Sequence, residues 1–231
     1  MGRIVERYGV DAAAAARGAV IVIDVLRAFT TAAYVFQAGA ARIVLVGDPA
    51  EAFALKQRWP DAVLVGEDGG RQIAGFDVGN SPEAVETMDL TGRTVVLRSS
   101  SGTQGVVRAS GADAIWLGSL VVAAATVRAL RDEPLVTILA MGSRKGPDGP
   151  EDLACRRYMA SLFDGEPVPQ DEIKREVIDS PSGQMALDPA IDFKTPGDLD
   201  RAVAINRFDF AMPVTREDGL LVAYRSDRST G

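Results

Sequence analysis

Histidine is absent from this chain of 231 residues. That absence excludes Ser-His-Asp triads, phosphohistidine intermediates and His-rich zinc sites. Acid–base work is left to carboxylates, Cys, Lys, Tyr or a metal-bound water. Cysteine is nearly absent: Cys155 stands alone, permits no internal disulfide and suits a reducing compartment, so a cytoplasmic location is expected. No apolar run is long and charge-free enough to span a bilayer, and MGRIVER at the start lacks a signal-peptide core. Basic residues are too few for a nucleic-acid surface, 25 Lys and Arg against 32 Asp and Glu giving a net charge of −7. Neither a nucleic acid nor a membrane is an expected partner. A small anionic substrate still fits where local Arg residues, helix ends or a metal offset the repulsion, and the acidic surface permits a homodimer. Aromatics make up only 6% against 47% apolar residues, so the core is expected to rest on Val, Ala, Leu and Ile.

Apolar, β-branched runs recur at 19–26, 42–47, 62–66, 94–98, 114–117 and 135–140. They read as strands buried on both faces. Helix-like stretches alternate with them at 28–38, 49–59, 81–88, 103–109, 121–131 and 150–163; Asp48-Pro49 and Ser81-Pro82 mark helix starts. The alternation predicts an α/β fold, a largely parallel sheet flanked by helices. Beyond about residue 165 the texture changes: Pro167, Pro169, Pro181, Pro189 and Pro196 interrupt it. A short helix is expected over 198–206, and 208–214 is expected to pair with 220–224 as a hairpin. Residues 1–231 are expected to form a single α/β domain, with residues 166–231 as a Pro-rich C-terminal extension or small lobe of it.

Parallel sheets bind ligands at the carboxyl ends of their strands, so the residues there carry the chemistry. Asp24 and Arg27 follow the first buried run; the acid suits a Mg²⁺ ligand and the guanidinium a bidentate clamp on phosphate or carboxylate. A structural Asp–Arg pair capping the next helix is the plainer alternative. Arg98-Ser99-Ser100-Ser101-Gly102-Thr103 brings hydroxyls and main-chain N–H groups to a helix start, where an anion or an ordinary Ser-rich turn fits equally. No Gly-Lys-Ser/Thr follows, so this is not a Walker A loop. Glu67, Asp68, Asp77, Asn80 and Ser81 lie in two Gly-rich loops that read as tight turns when taken alone. Ser143, Arg144 and Lys145 precede Glu151 and Asp152, acids in a first helical turn that the helix dipole favours in any case. Cys155, Trp59 and Trp116 read as packing residues.

Together these segments resemble the 2-phosphosulfolactate phosphatase family, the ComB-like proteins of coenzyme M biosynthesis. The resemblance rests on Val22-Ile23-Asp24-Val25-Leu26-Arg27-Ala28, Gly66-Glu67, Gly75-Phe76-Asp77-Val78-Gly79-Asn80-Ser81-Pro82, Gly102-Thr103 and Glu151-Asp152. It implies a Mg²⁺-dependent phosphatase of 2-hydroxy-acid phosphate esters with an α/β fold of its own type. By position it implies Asp24, Arg27, Glu151 and Asp152 as catalytic and Asp24 with Glu67 as metal ligands. Asn80, Ser81, Ser100, Ser101, Gly102, Thr103 and Ser143 become substrate contacts. The chain departs from the family pattern at Ser99-Ser100-Ser101, where Thr-Thr-Asn is expected, and at Ala140-Met141-Gly142, where Cys-Ala-Gly is expected. A non-catalytic α/β module that binds a phosphorylated or carboxylated metabolite is the competing reading.

Overall fold

The computed structural model describes residues 2–142 and 149–227. Along the first half run β1 (Arg3–Tyr8), β2 (Ala19–Ile23), α1 (Ala28–Gln37), β3 (Arg42–Val46), α2 (Pro49–Arg58), β4 (Val63–Asp68), β5 (Arg71–Gln72), α3 (Pro82–Glu86), β6 (Thr94–Arg98), α4 (Gly102–Arg108) and β7 (Ala114–Gly118). Then follow α5 (Ala123–Ala129), β8 (Leu135–Ala140), α6 (Pro150–Asp164), α7 (Gln170–Asp179), α8 (Pro181–Leu187), α9 (Pro196–Ala202), β9 (Phe210–Ala211), β10 (Pro213–Glu217), β11 (Leu220–Ala223) and β12 (Ser226–Asp227). No helix among the described residues is long and apolar enough to cross a membrane.

The period-2 alternation of a strand sends successive side chains to opposite faces, and β2 uses both. Val20 and Val22 enter a core shared with α1 and α4, while Ala19, Ile21 and Ile23 enter a second core with α5 and α6. In β3, Ile43 and Leu45 join the first core and Val44 and Val46 a third, against α2. This double burial is why the strands read as continuous apolar runs.

The sheet order is β1-β8-β2-β7-β10-β11-β3-β6-β4-β5. Strands β1, β8, β2 and β7 are mutually parallel, as are β3, β6 and β4. The hairpin β10–β11 lies between the two blocks, antiparallel to β7 on one side and to β3 on the other. Three antiparallel steps therefore reverse the sense of one block against the other. Strand-to-strand twist of about 20–25° accumulates across the five steps from β2 to β6. Helix α4 packs against both β2 and β3, so the two blocks wrap a common core. That wrapping lets the carboxyl ends of β2 and β6 meet despite their separation in the sheet.

Three features differ from the sequence expectation. Strand β1 was hidden because charged residues alternate through Arg3–Tyr8; it is a partly exposed edge strand paired to β8. Helices α7 and α8 were hidden by prolines read as breakers. Ser180 caps the helix that opens at Pro181, and Thr195 caps the one that opens at Pro196, so α9 starts before the expected 198. The Pro-rich segment thus supplies helices against α6 and α3 together with two strands of the central sheet.

Phe210 shows how closely this segment is built in. Its ring stacks 5.3 Å from Phe208 and sits edge-on 6.3 Å from Phe36 of α1. Phe210→Ala is expected to cost about 3–5 kcal/mol in urea unfolding, the range for a large aromatic removed from a core. A loss below about 1 kcal/mol would mean that the segment is an appendage.

Candidate active site

The strand ends converge on a cavity of about 620 Å³. Asp24, Glu67, Glu151 and Asp152 line it with Arg27 and Asn80. Ser100, Ser101 and Gly142 line it as well. The segments expected to meet do so: Asp24 follows β2, Glu67 ends β4, Ser100 follows β6, and Glu151 and Asp152 open α6.

Three carboxylates are gripped on both oxygens by main-chain N–H groups. Asp24 accepts from Ala28 N at 2.9 Å and Gly102 N at 2.8 Å. Asp152 accepts from Val25 N at 2.7 Å and Gly142 N at 2.9 Å. Glu67 accepts from Ser100 N at 2.5 Å and Gly70 N at 2.6 Å, and from Ser100 Oγ at 3.0 Å. Thr103 N goes to Ser99 Oγ at 3.0 Å. Two amides of the Ser-rich turn, which the sequence offered to an anion, are thus spent on acids, Ser100 N on Glu67 and Gly102 N on Asp24, while Ser99 N and Thr103 N close on each other's hydroxyls. Among the described residues no donor reaches the Glu151 carboxylate.

Arg27 and Arg98 take different parts. Arg27 is buried, donating to Asp198 Oδ2 at 2.8 Å and to the Gly70 carbonyl at 3.0 Å. Arg98 is turned to the strand instead, donating to the Glu67 carbonyl at 2.5 Å and to Asp68 at 2.9 Å. Ser81 is a support rather than a lining residue: its hydroxyl donates to Asp198 Oδ1 at 2.6 Å and accepts from Ala84 N. Thr103 is fully buried and donates to the Ser99 carbonyl at 2.9 Å, away from the cavity. Ser101 donates to the Gly142 carbonyl at 2.8 Å. Asp77 ties Leu64 N at 2.7 Å. Ser143, with Arg144 and Lys145, lies outside the described residues. Asn80 is buried and its Oδ1 has no partner among the described residues, so the cavity lining holds an amide oxygen they leave unsatisfied. Cys155 is buried with its thiol pushed up by burial and by Asp152, which suits a packing residue.

Residues 8–185 match the family described as 2-phosphosulpholactate phosphatase. The chain belongs to this family. Among its relatives, a "Probable 2-phosphosulfolactate phosphatase" of Bacillus subtilis is 35% identical over 152 residues, 64% of this chain and 65% of its own. One of Carboxydothermus hydrogenoformans with the same description is 40% identical over 145 residues, 63% of this chain and 60% of its own. One of Thermus thermophilus is 37% identical over 157 residues, 66% of this chain and 65% of its own. The matched part thus spans about 60–65% of the length of these relatives.

Burial and mutual repulsion dominate the electrostatics of this family member's cavity. Burial raises Asp24 from 3.8 to about 6, with Glu67 and Glu151 adding repulsion and the two N–H donors opposing it. Burial, then Asp24 and Glu151, hold Asp152 well above the usual range. Lys194, also lining the cavity, is pushed below the usual lysine range by burial and by Arg27, while Glu151, Asp24 and Asp152 pull it back. Among the described residues, no three acids or thiols gather closely enough to cage a metal. Mg²⁺ at a phosphate site asks for less, one or two carboxylates completed by water and phosphate oxygens, and the hard-oxygen donor set fits it.

The sequence missed Lys194, Asp198, Phe193 and Met185. The signal for Asp198 was present, because Thr195-Pro196 announces a helix whose first turn holds that acid. Nothing in the pattern singled out Lys194.

Two outcomes follow from this geometry. The Asp24 carboxyl binds its proton more tightly folded than unfolded, so its contribution to stability is full below pH 3.8 and is lost as pH rises through about 6. With divalent ions chelated, the stability of Asp24→Asn relative to wild type is expected to shift in the variant's favour by on the order of 3 kcal/mol between pH 4 and 7. Urea titrations across that range would show a flat difference if the carboxylate carries no such cost. Gly102 must lack a side chain because a Cβ there would stand 2.7 Å from Asp24 Oδ2 and 3.1 Å from the Ala28 Cβ. Gly102→Ala is expected to lose about 1–3 kcal/mol by overpacking, read in the same titration.

Proposed function

We propose that this chain is a Mg²⁺-dependent phosphatase that hydrolyses phosphate esters of 2-hydroxy acids, the class to which 2-phosphosulfolactate belongs. The observation that carries the reading is the convergence of Asp24, Glu67, Glu151 and Asp152 with Arg27 on one cavity. Such a concentration of buried acid repels a phosphate dianion unless a cation lies between them. Ser100 N and Gly102 N do not supply that positive charge, because Glu67 and Asp24 have taken them. Asp24 and Glu67 are the ligands proposed for Mg²⁺: they repel one another across the cavity, and each oxygen keeps a lone pair beside its N–H donor. Bound there, Mg²⁺ supplies Lewis-acid polarisation of the phosphoryl oxygens and acidifies a water.

The chain's own residues do the rest. Arg27 uses two of its five donors on Asp198 and Gly70, which fixes the guanidinium plane and leaves the others for phosphoryl oxygens. Glu151, without a donor of its own among the described residues, is placed to take the proton of the attacking water in a chain that has no histidine. Asp152 holds the turn after β2 in position through Val25 N and strengthens the repulsion that a cation relieves.

Release of inorganic phosphate from 2-phospholactate and related acid esters, measured with Mg²⁺ and with EDTA, tests this reading. Wild type is expected to turn over only with the metal. Asp24→Asn is expected to lose at least about 100-fold in kcat, the scale of one electrostatic group removed from a site. No release above background across a panel of such esters would reject the phosphatase.

A further inference from the structure

Lys194 lies beyond residues 8–185, the stretch that matches the family. Its side chain is buried, lines the cavity and donates from Nζ to Ser182 Oγ at 3.1 Å. Among the described residues it forms no ion pair, whereas Arg27, the other cation of the lining, is tied to Asp198 at 2.8 Å. An ammonium has three donors, and Ser182 takes one. The carboxylates of Glu151, Asp24 and Asp152 favour the ammonium across the cavity, but among the described residues none pairs with it, and a buried charge with unmet donors is costly unless an anion joins it.

The segment that carries Lys194 is fixed on both sides. The Phe193 ring lies on the turn after β4 so closely that a Cβ on Gly70, itself at φ +92°, would stand 2.6 Å from its Cε2. Arg71 covers that ring 4.9 Å from its centroid and pairs with Asp192 at 2.8 Å. Thr195 then caps α9. Lys194 is therefore presented by a docked segment, with Phe193, Met185 and Leu26 forming an apolar wall beside it.

We propose that Lys194 is the specificity-determining residue that recognises a second anionic group, a carboxylate or sulfonate, on the organic part of the phosphate ester. The proposal rests on the phosphatase reading and divides the cavity in two. The planar fork of Arg27 and the carboxylate cluster with its cation serve the phosphoryl group. The point charge of Lys194 serves the acid, and the apolar wall takes the carbon skeleton between them.

The test compares 2-phospholactate with isopropyl phosphate, which replaces the carboxylate by a methyl group and keeps the same secondary ester. Wild type is expected to favour the acid ester in kcat/KM. Lys194→Met keeps the stem without the charge and is expected to reduce that preference by about 10- to 100-fold, chiefly through KM. Lys194→Arg is expected to restore part of it and guards against a folding defect, which circular dichroism checks directly. An equal fall for both esters would place Lys194 on the phosphoryl group and overturn the proposal, as would an unchanged preference or none in wild type. Should wild type release phosphate from neither ester, the phosphatase reading fails while Lys194 stays testable. Calorimetric titration of the two esters must then show tighter binding of 2-phospholactate that Lys194→Met abolishes; equal or absent binding overturns it.

Discussion

Main-chain N–H groups hold the buried acids Asp24, Glu67 and Asp152 on both carboxylate oxygens, and this arrangement organises everything around the cavity. Asp24 joins the turn after β2 to the start of α4 through Ala28 N and Gly102 N. Asp152 reaches from α6 to Val25 N and to Gly142 N after β8. Glu67 joins the ends of β4 and β6 through Gly70 N and Ser100 N. Hydrogen bonds to an ionised acceptor are roughly twice as strong as neutral ones, so each acid acts as a staple between segments far apart in sequence. Burial first, and then the repulsion of the neighbouring acids, makes Asp24 and Asp152 hold their protons tightly. The site is locally well bonded and globally repulsive, the condition that a divalent cation relieves.

A second constraint comes from the C-terminal third of the chain. The hairpin β10–β11 joins two parallel blocks that would otherwise present separate edges. From α9, Asp198 receives Arg27 on one oxygen and Ser81 on the other, so a single buried carboxylate fixes the guanidinium and the Asn80-Ser81 turn together. Removing one partner of a buried ion pair leaves an uncompensated charge, a loss of about 3–5 kcal/mol. The orientation of Arg27 therefore depends on residues outside the stretch that matches the family.

How much of this was legible in the sequence follows from the range of each signal. The strands buried on both faces were readable because β2 and β3 are apolar at nearly every position and β6 through its middle. Acids and small residues at their carboxyl ends were readable for the same reason, and Asp24, Glu67, Ser100 and Asp152 do share one cavity. Strand β1 was not, because an edge strand with Arg3, Glu6 and Arg7 carries little apolar periodicity. Helix α8 was obscured, and α9 was read as starting two residues late, because Pro181 and Pro196 mark helix starts as readily as loops. The bonds of Arg98 to the Glu67 carbonyl and Asp68 were not legible, since no local pattern tells which strand neighbour a guanidinium will choose. Lys194 lay beyond reach altogether: its placement depends on Phe193 settling on Gly70, a contact between residues more than a hundred positions apart.

The spending of the turn amides changes the logic by which this cavity would hold an anion. A Gly-rich turn with free N–H groups cradles phosphate directly, as a fixed positive surface. Here Ser100 N and Gly102 N point at carboxylates and Ser99 N and Thr103 N at hydroxyls, so the turn has become in part a scaffold for negative charge. Among the described residues the positive charge of the lining comes from Arg27 and Lys194, each held by a different part of the fold. The acids and Arg27 lie within the family stretch, while Lys194 and Phe193 lie beyond it. On the reading proposed for Lys194, substitutions there alter which organic acid is admitted while the main-chain staples remain, because no hydrogen bond from Lys194 or Phe193 to Asp24, Glu67 or Asp152 exists among the described residues.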